Sequence, residues 1–201
     1  MIEPAFLDLA DFLKRRLEGG SLVIYGRPGS LRTRAAFLLC RQISPSLYLG
    51  TGRHARIKKI PSGVQYFPTT SFYEELLKVI EIVGLCRRGA VKLAALDEFL
   101  ANVVPYRASL SEAYVARMAL TEVNLLRVAR EAGCSVVVVC AEDRRTGGPL
   151  ALKVLRQLKP KLIRLAVENG TLAAEERDVG DPLLMHARVE VPLEAALNET
   201  L

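Results

Sequence analysis

The sequence predicts an α/β fold, a mostly parallel, doubly wound sheet with antiparallel strands added at its C-terminal end. Three observations predict it. Strand-like and helix-like segments alternate from residue 4 to residue 141. Val136 to Val139 is an unbroken β-branched run, as expected of a strand covered on both faces in a parallel sheet. Beyond residue 160, three strand-like stretches are separated by the turn signals Glu168-Asn169-Gly170 and Gly180-Asp181-Pro182. The 201 residues are read as a single domain, 1–201, large enough to bury a sizeable core.

Residues 4 to 18 form the first helix: Pro4 suits its first turn, Phe6, Leu9, Leu13 and Leu17 share a face, and Gly19-Gly20 ends it. Ser21 to Tyr25 is a buried strand, Gly26 to Ser30 a glycine-rich turn, and Thr33 to Arg41 a helix. Ser46 to Leu49 and Val64 to Phe67 are short strands flanking a basic segment, Arg53 to Lys59. Ser71 with Glu74 makes a capping box for a helix over 72–87, with Leu76, Leu77, Ile80 and Val83 facing inward. Val91 to Leu96 is a strand ending in Asp97-Glu98. A second capping box, Ser109 with Glu112, opens a helix reaching Ala132, and Cys134 to Ala141 is the most strand-like stretch of all. A helix over 150–158 precedes Lys161 to Val167, Thr171 to Arg177 and Leu183 to Val191, read as hairpin strands running antiparallel at the sheet edge.

The net charge of +6 favours an anionic partner. No apolar run is long enough for a bilayer, and Glu3, Asp8 and Asp11 interrupt the N-terminal stretch where a secretory signal would be apolar. A cytoplasmic protein with no membrane partner is therefore expected. Cys40, Cys86, Cys134 and Cys140 lack zinc-ligand spacing and read as buried free thiols, with a disulfide left open. His54 and His186 suggest no catalytic pair.

In open α/β sheets, ligands bind beyond the carboxyl ends of the strands. The first such end carries Gly26 to Thr33. Strand, glycine-rich loop and helix form the setting of a phosphate-binding loop, in which backbone N–H groups wrap a phosphate at a helix N-terminus. The pattern G-x-x-x-x-G-K-[ST] can be laid over it, with Gly26 as the first glycine and Thr33 as the magnesium-binding hydroxyl. Leu31 stands at the second glycine and Arg32 at the lysine. Leu resists the positive φ that glycine accepts, and Arg brings a wider, planar cation. An ordinary strand-to-helix turn remains the alternative. Asp97 stands where a nucleoside triphosphatase holds magnesium, or serves as a turn cap. The end of the second strand, Gly50-Thr51-Gly52, offers no acid to position a water. Glu142 to Pro149 reads as a flexible charged loop whose Arg144 and Arg145 can contact nucleic-acid phosphates. Arg53, Arg56, Lys58 and Lys59 offer a second basic surface or a solvated helix face, and Tyr106 with Arg107 a stacking ring and a charge.

The order of these parts resembles the RecA/RadA recombinase family, and most nearly its short, RadB-like archaeal RadA paralogues. LEGGSLVIYGRPGSLRT resembles the family's phosphate loop, LAALDEF its Walker B strand, VVVVCAEDRR its sensor strand and DNA loop, and the run from Gly147 to Asp178 its C-terminal strands. The resemblance implies a RecA-like P-loop fold and nucleotide contacts at Gly26, Gly29, Ser30, Arg32 and Thr33. It further implies a magnesium role for Asp97 and DNA contacts at Arg144 and Arg145, to which Arg107, Arg53, Arg56, Lys58 and Lys59 would add. Leu31, Arg32, Gly52 (at the family's catalytic glutamate) and Glu142 (at its glutamine sensor) depart from the pattern. The expectation is an accessory factor of recombinational DNA repair that binds single-stranded DNA, a recombinase or another RadA paralogue. ATP and Mg2+ would be bound weakly or not at all, with little or no hydrolysis. Two rival readings are a slow ATPase using Arg32 in place of the lysine, and a structural subunit of an oligomeric paralogue complex, for which Phe6 and Phe12 would either serve an interface or, as the favoured alternative, fill the core.

Overall fold

A computed structural model of the chain describes residues 4–18, 20–51, 60–103 and 109–198. The elements are α1 (Pro4–Leu17), β1 (Ser21–Gly26), α2 (Arg32–Gln42), β2 (Ser46–Thr51), β3 (Val64–Thr69), α3 (Phe72–Arg87), β4 (Leu93–Leu96), α4 (Glu112–Glu131), β5 (Ser135–Ala141), α5 (Leu152–Leu155, continued by a 3-10 turn), β6 (Lys161–Glu168), β7 (Thr171–Arg177), β8 (Met185–Pro192) and α6 (Leu193–Asn198). The strands form one sheet in the order β3-β2-β4-β5-β1-β6-β7-β8. No helix among the described residues is long and apolar enough to cross a membrane.

Alternation along the central strands explains the layering. Leu22 and Ile24 of β1, with Val137 and Val139 of β5, face one core, shared with α1 and α2. Val23 and Tyr25, with Val136, Val138 and Cys140, face the other, shared with α3, α4 and α5. All four valines of the predicted run are fully buried, as a strand covered on both faces requires. All four cysteines are buried free thiols.

Four readings need correction. Lys161 to Glu168 is not an antiparallel addition: β6 pairs parallel with β1, and only β7 and β8 run antiparallel. Hairpin spacing fixes the direction of one strand relative to the next, and here it left open how the first joins the sheet. In α3, Leu77 and Ile80 are exposed, while Glu75, Val79, Ile82, Val83 and Cys86 are buried. The helix is thus rotated so that a carboxyl enters the core. The second cap is Ser111, whose hydroxyl accepts from Tyr114 N–H, two residues beyond the expected box. The predicted helix over 150–158 is a four-residue α5 and a 3-10 turn. The first cap holds: Ser71 Oγ accepts from Glu74 N–H, although Glu74 reaches back to Thr70 rather than to Ser71.

Candidate functional site

The carboxyl ends of β1, β4 and β5 converge on the loop after β1. Gly26 closes that strand where nothing larger fits: a Cβ there would lie 2.2 Å from Leu165 O and 2.6 Å from Ser30 Oγ. Gly29 has φ +85°, and Ser30 N–H donates to Arg27 O at 3.1 Å, so the loop doubles back tightly. Leu31 then adopts φ 60°, ψ 24°, the left-handed conformation for which glycine is suited. It is the residue from which α2 starts, and its carbonyl accepts the first helical bond, from Ala35 N–H. Packing of its side chain against the α1–α2 core offsets the backbone strain. The glycine-like turn is therefore retained without the glycine.

Arg32 does not stand free at the mouth of this loop. Its Nη1 donates to Cys140 O at 2.6 Å and its Nη2 to Glu98 Oε1 at 3.3 Å. The guanidinium ties the start of α2 to the ends of β4 and β5. Glu98 itself has φ 57° and Leu100 φ 70°, so the turn after β4 is strained where it meets Arg32.

Asp97 is buried at the end of β4. Its Oδ2 accepts from the phenol of Tyr48 at 2.5 Å and its Oδ1 from Glu98 N–H at 3.0 Å. Tyr48 is fully buried between Phe37 and Tyr66, with ring centroids at 4.9 Å and 5.9 Å. Burial first, and then the Asp97 charge, raise the Tyr48 phenol well above the ordinary tyrosine range, so it stays a donor. The Cys40 thiol, also near Asp97, is pushed up to about 12, chiefly by burial. Gly50 on β2 lies under the same rings, and a Cβ there would meet Tyr66 at 3.2 Å and Tyr48 at 3.3 Å. Tyr48→Phe is expected to leave a buried carboxylate short of one donor and to cost about 1–3 kcal/mol. A thermal or urea unfolding comparison measures it; unchanged stability would show that Asp97 does not depend on that phenol.

Glu142, at the end of β5, joins the loop to the C-terminal strands. It accepts from Arg27 Nε at 3.3 Å and Arg164 Nε at 3.0 Å, and its backbone N–H donates to Gly26 O at 3.1 Å. Behind it, the carboxylate of Glu175 accepts from Arg164, Arg177 and Arg188; burial works to raise its pKa, but Arg177 and then Arg164 hold it below the usual carboxylate range. A cleft of about 260 Å³ beside the loop is lined by Arg27, Gly29, Ser30, Arg164 and Glu168, among others. The hydroxyl of Ser30 is buried there without a partner.

The charged stretch Glu142 to Pro149 forms a hairpin loop with hydrogen bonds across it. Glu142 and Pro149 form a bridge, Asp143 N–H donates to Gly148 O, Gly147 N–H to Asp143 O, and Arg145 N–H to Asp143 Oδ1. Asp143 thus fixes the loop from within, a role its charge alone did not reveal. Arg144 and Arg145 project from it into solvent. Between them and the start of α4 lies a cleft of about 620 Å³, also lined by Glu112, Val115 and Leu150.

Gly26, Gly29, Ser30, Arg32 and Thr33 share the loop after β1 and the start of α2; of these, Arg32 reaches the turn after β4 through Glu98, the neighbour of Asp97, while Gly29 and Ser30 line the cleft against β6, and Arg144 and Arg145 line a separate cleft after β5. Arg53, Arg56, Lys58, Lys59, Gly52, His54, Tyr106 and Arg107 lie outside the described residues. The sequence reading missed Tyr48, Glu98 as the partner of Arg32, and a buried acidic pair near the end of β3. In that pair, Asn102 Nδ2 donates to Glu75 Oε2 at 2.5 Å and to Thr69 Oγ1 at 3.0 Å. Glu75 on α3 faces Glu122 on α4, which is fully buried. As two carboxylates, neither could donate to the other, and Glu75 Oε1 and both oxygens of Glu122 would lack a partner. A proton on Glu122 removes the conflict by donating to Glu75. Burial raises both pKa values, that of Glu122 well above its ordinary range. Among the described residues, no three His, Cys, Asp or Glu side chains group as metal ligands. Comparison with models of known protein families and with curated proteins found no match.

Proposed function

We propose that this chain is a RecA-fold recombinase paralogue, an accessory factor in DNA repair by homologous recombination. It binds single-stranded DNA, a recombinase or both, with little or no ATP hydrolysis. The mostly parallel sheet with antiparallel C-terminal strands is compatible with that fold, and the motif order of the sequence supports it. The observation that carries the reading is the position of Arg32. The cation that would meet the β- and γ-phosphates is engaged by Cys140 O and Glu98. Both oxygens of Asp97 already accept hydrogen bonds, and β2 ends in Gly50-Thr51 with no carboxylate to position a water. These side chains do not fit a hydrolytic site for magnesium and ATP, although the tight turn at Gly26 to Leu31 keeps the shape of one.

The DNA part rests on Arg144 and Arg145. They stand on a loop pre-shaped by Asp143, at the carboxyl edge of the sheet, on a chain of net charge +6. Two guanidinium groups on this hydrogen-bonded loop bind successive backbone phosphates and release counterions, without reading sequence. Anisotropy of a fluorescent oligothymidine, titrated with protein over a range of salt concentrations, tests this. Affinity that falls steeply with salt is expected; binding that is absent at low salt would remove the DNA arm of the proposal.

A further inference from the structure

We propose that Cys86 and Cys134 are a redox pair, which a peroxide closes into a disulfide that staples the end of α3 to the start of β5. Neither residue takes part in the site described above. Cys86 lies in the last turn of α3, and Cys134 immediately precedes β5. Both are buried in the same core, 2% and 1% exposed, and their side chains are hydrogen-bonded to each other. The backbone holds them side by side. Gly89 N–H donates to Cys86 O at 2.9 Å and Cys134 N–H to Ala129 O at 3.2 Å. Ser135 N–H donates to Lys92 O at 2.9 Å, which joins the chain after α3 to the start of β5. The other two cysteines stand apart, Cys40 in the core on the other face of the sheet and Cys140 at the far end of β5.

The shared hydrogen bond divides the work between the two sulfurs. It holds the Cys86 thiol below the ordinary cysteine range, against burial, and raises that of Cys134, where burial adds to it. Burial pushes Cys40 and Cys140 up to about 12, which leaves them poor nucleophiles. Access needs only local opening. Arg87 to Ala90 and Glu131 to Gly133 are exposed, so the pair lies just beneath the surface, under the fraying end of a helix. The Cys86 thiolate attacks one peroxide oxygen, the O–O bond breaks, and hydroxide leaves to become water with the proton that Cys86 gave up. Cys86 is then a sulfenic acid. The Cys134 sulfur attacks the Cys86 sulfur, the S–O bond breaks, and hydroxide leaves with the Cys134 proton as a second water. One peroxide and two thiols thus give one disulfide and two waters. The bond closes a loop over β4, the Asp97-Glu98 turn and α4, and so restricts the unfolded chain.

Peptide mass mapping of the full chain, treated with a small excess of hydrogen peroxide and then alkylated in denaturant, tests it. A Cys86–Cys134 cross-link is expected, with Cys40 and Cys140 alkylated. The oxidised chain should melt roughly 5–15 °C above the reduced one, and dithiothreitol should reverse the gain. Cys134→Ser keeps a hydroxyl donor beside Cys86 and removes the second sulfur. In that variant dimedone should trap a sulfenic acid at Cys86, and peroxide should bring no rise in melting temperature that dithiothreitol reverses. The wild-type map and melting curve stand without any variant. Four alkylated cysteines after oxidation, a link to Cys40 or Cys140, a dimedone adduct only elsewhere, or a Cys86–Cys134 link that leaves the melting temperature where it was would each overturn the proposal.

Discussion

Replacing Arg144 and Arg145 together by alanine is expected to weaken binding of single-stranded DNA by about 10- to 100-fold at low salt. Each phosphate neutralised on a single strand contributes about 0.7 to the slope of log affinity against log salt, so losing two should flatten it by roughly 1.4. The loop itself should survive. Its shape comes from backbone N–H groups bonded to the Asp143 carboxylate and from backbone bonds between Asp143, Gly147 and Gly148, to which the solvent-exposed Arg145 guanidinium adds only a screened ion pair with Asp143 at 3.9 Å. The change therefore removes charge without removing the platform. Equal affinity and equal slope in wild type and the double variant would move the DNA contact elsewhere on the chain.

The second large effect is on stability. Glu122→Gln is expected to stabilise the protein at pH 8 by about 2 kcal/mol, or roughly 5 °C in melting temperature, and to flatten its pH dependence. The sign follows from proton binding. Burial raises the folded-state pKa of Glu122, and of its neighbour Glu75, above the ordinary carboxylate value reached on unfolding. Between those values the folded chain holds more protons than the unfolded chain, so wild-type stability is full at acid pH and is lost as pH rises through the folded pKa. Glutamine keeps a donor facing Glu75 at every pH, so Glu75 can ionise against two amides, that of residue 122 and that of Asn102. Parallel stability profiles for the two proteins from pH 5 to 9 would show that the pair does not hold a shared proton.

The same pair shows where the sequence was legible and where it was not. The valine run of β5 and the hydroxyl of Ser71 act locally, through β-branching and a hydrogen bond three residues away, and both were readable. The orientation of α3 was not. Leu77 and Ile80 look like core residues and Glu75 like a surface one, yet Glu75 lies on the same helical line as Val79, Ile82 and Cys86. That spacing was visible in the sequence. It was outweighed by charge, because Glu75 can sit in the core only once Asn102 and a protonated Glu122 are placed beside it as donors. The site divides in the same way. The turn from Gly26 to Leu31 could be located from its glycines and its setting between strand and helix. The fate of Arg32 could not, since Glu98 and the Cys140 carbonyl are 66 and 108 positions away in the chain. Nor did any motif point to Tyr48, 49 positions from the Asp97 it holds.

Phosphate release from ATP, measured with magnesium and with or without single-stranded DNA, tests most directly whether this loop has given up its chemistry. With Arg32 and Asp97 engaged within the sheet edge, wild type is expected to release no more phosphate than its Asp97→Ala variant. Turnover that DNA stimulates and Asp97→Ala abolishes would contradict the account, and would make Arg32 the working substitute for a lysine.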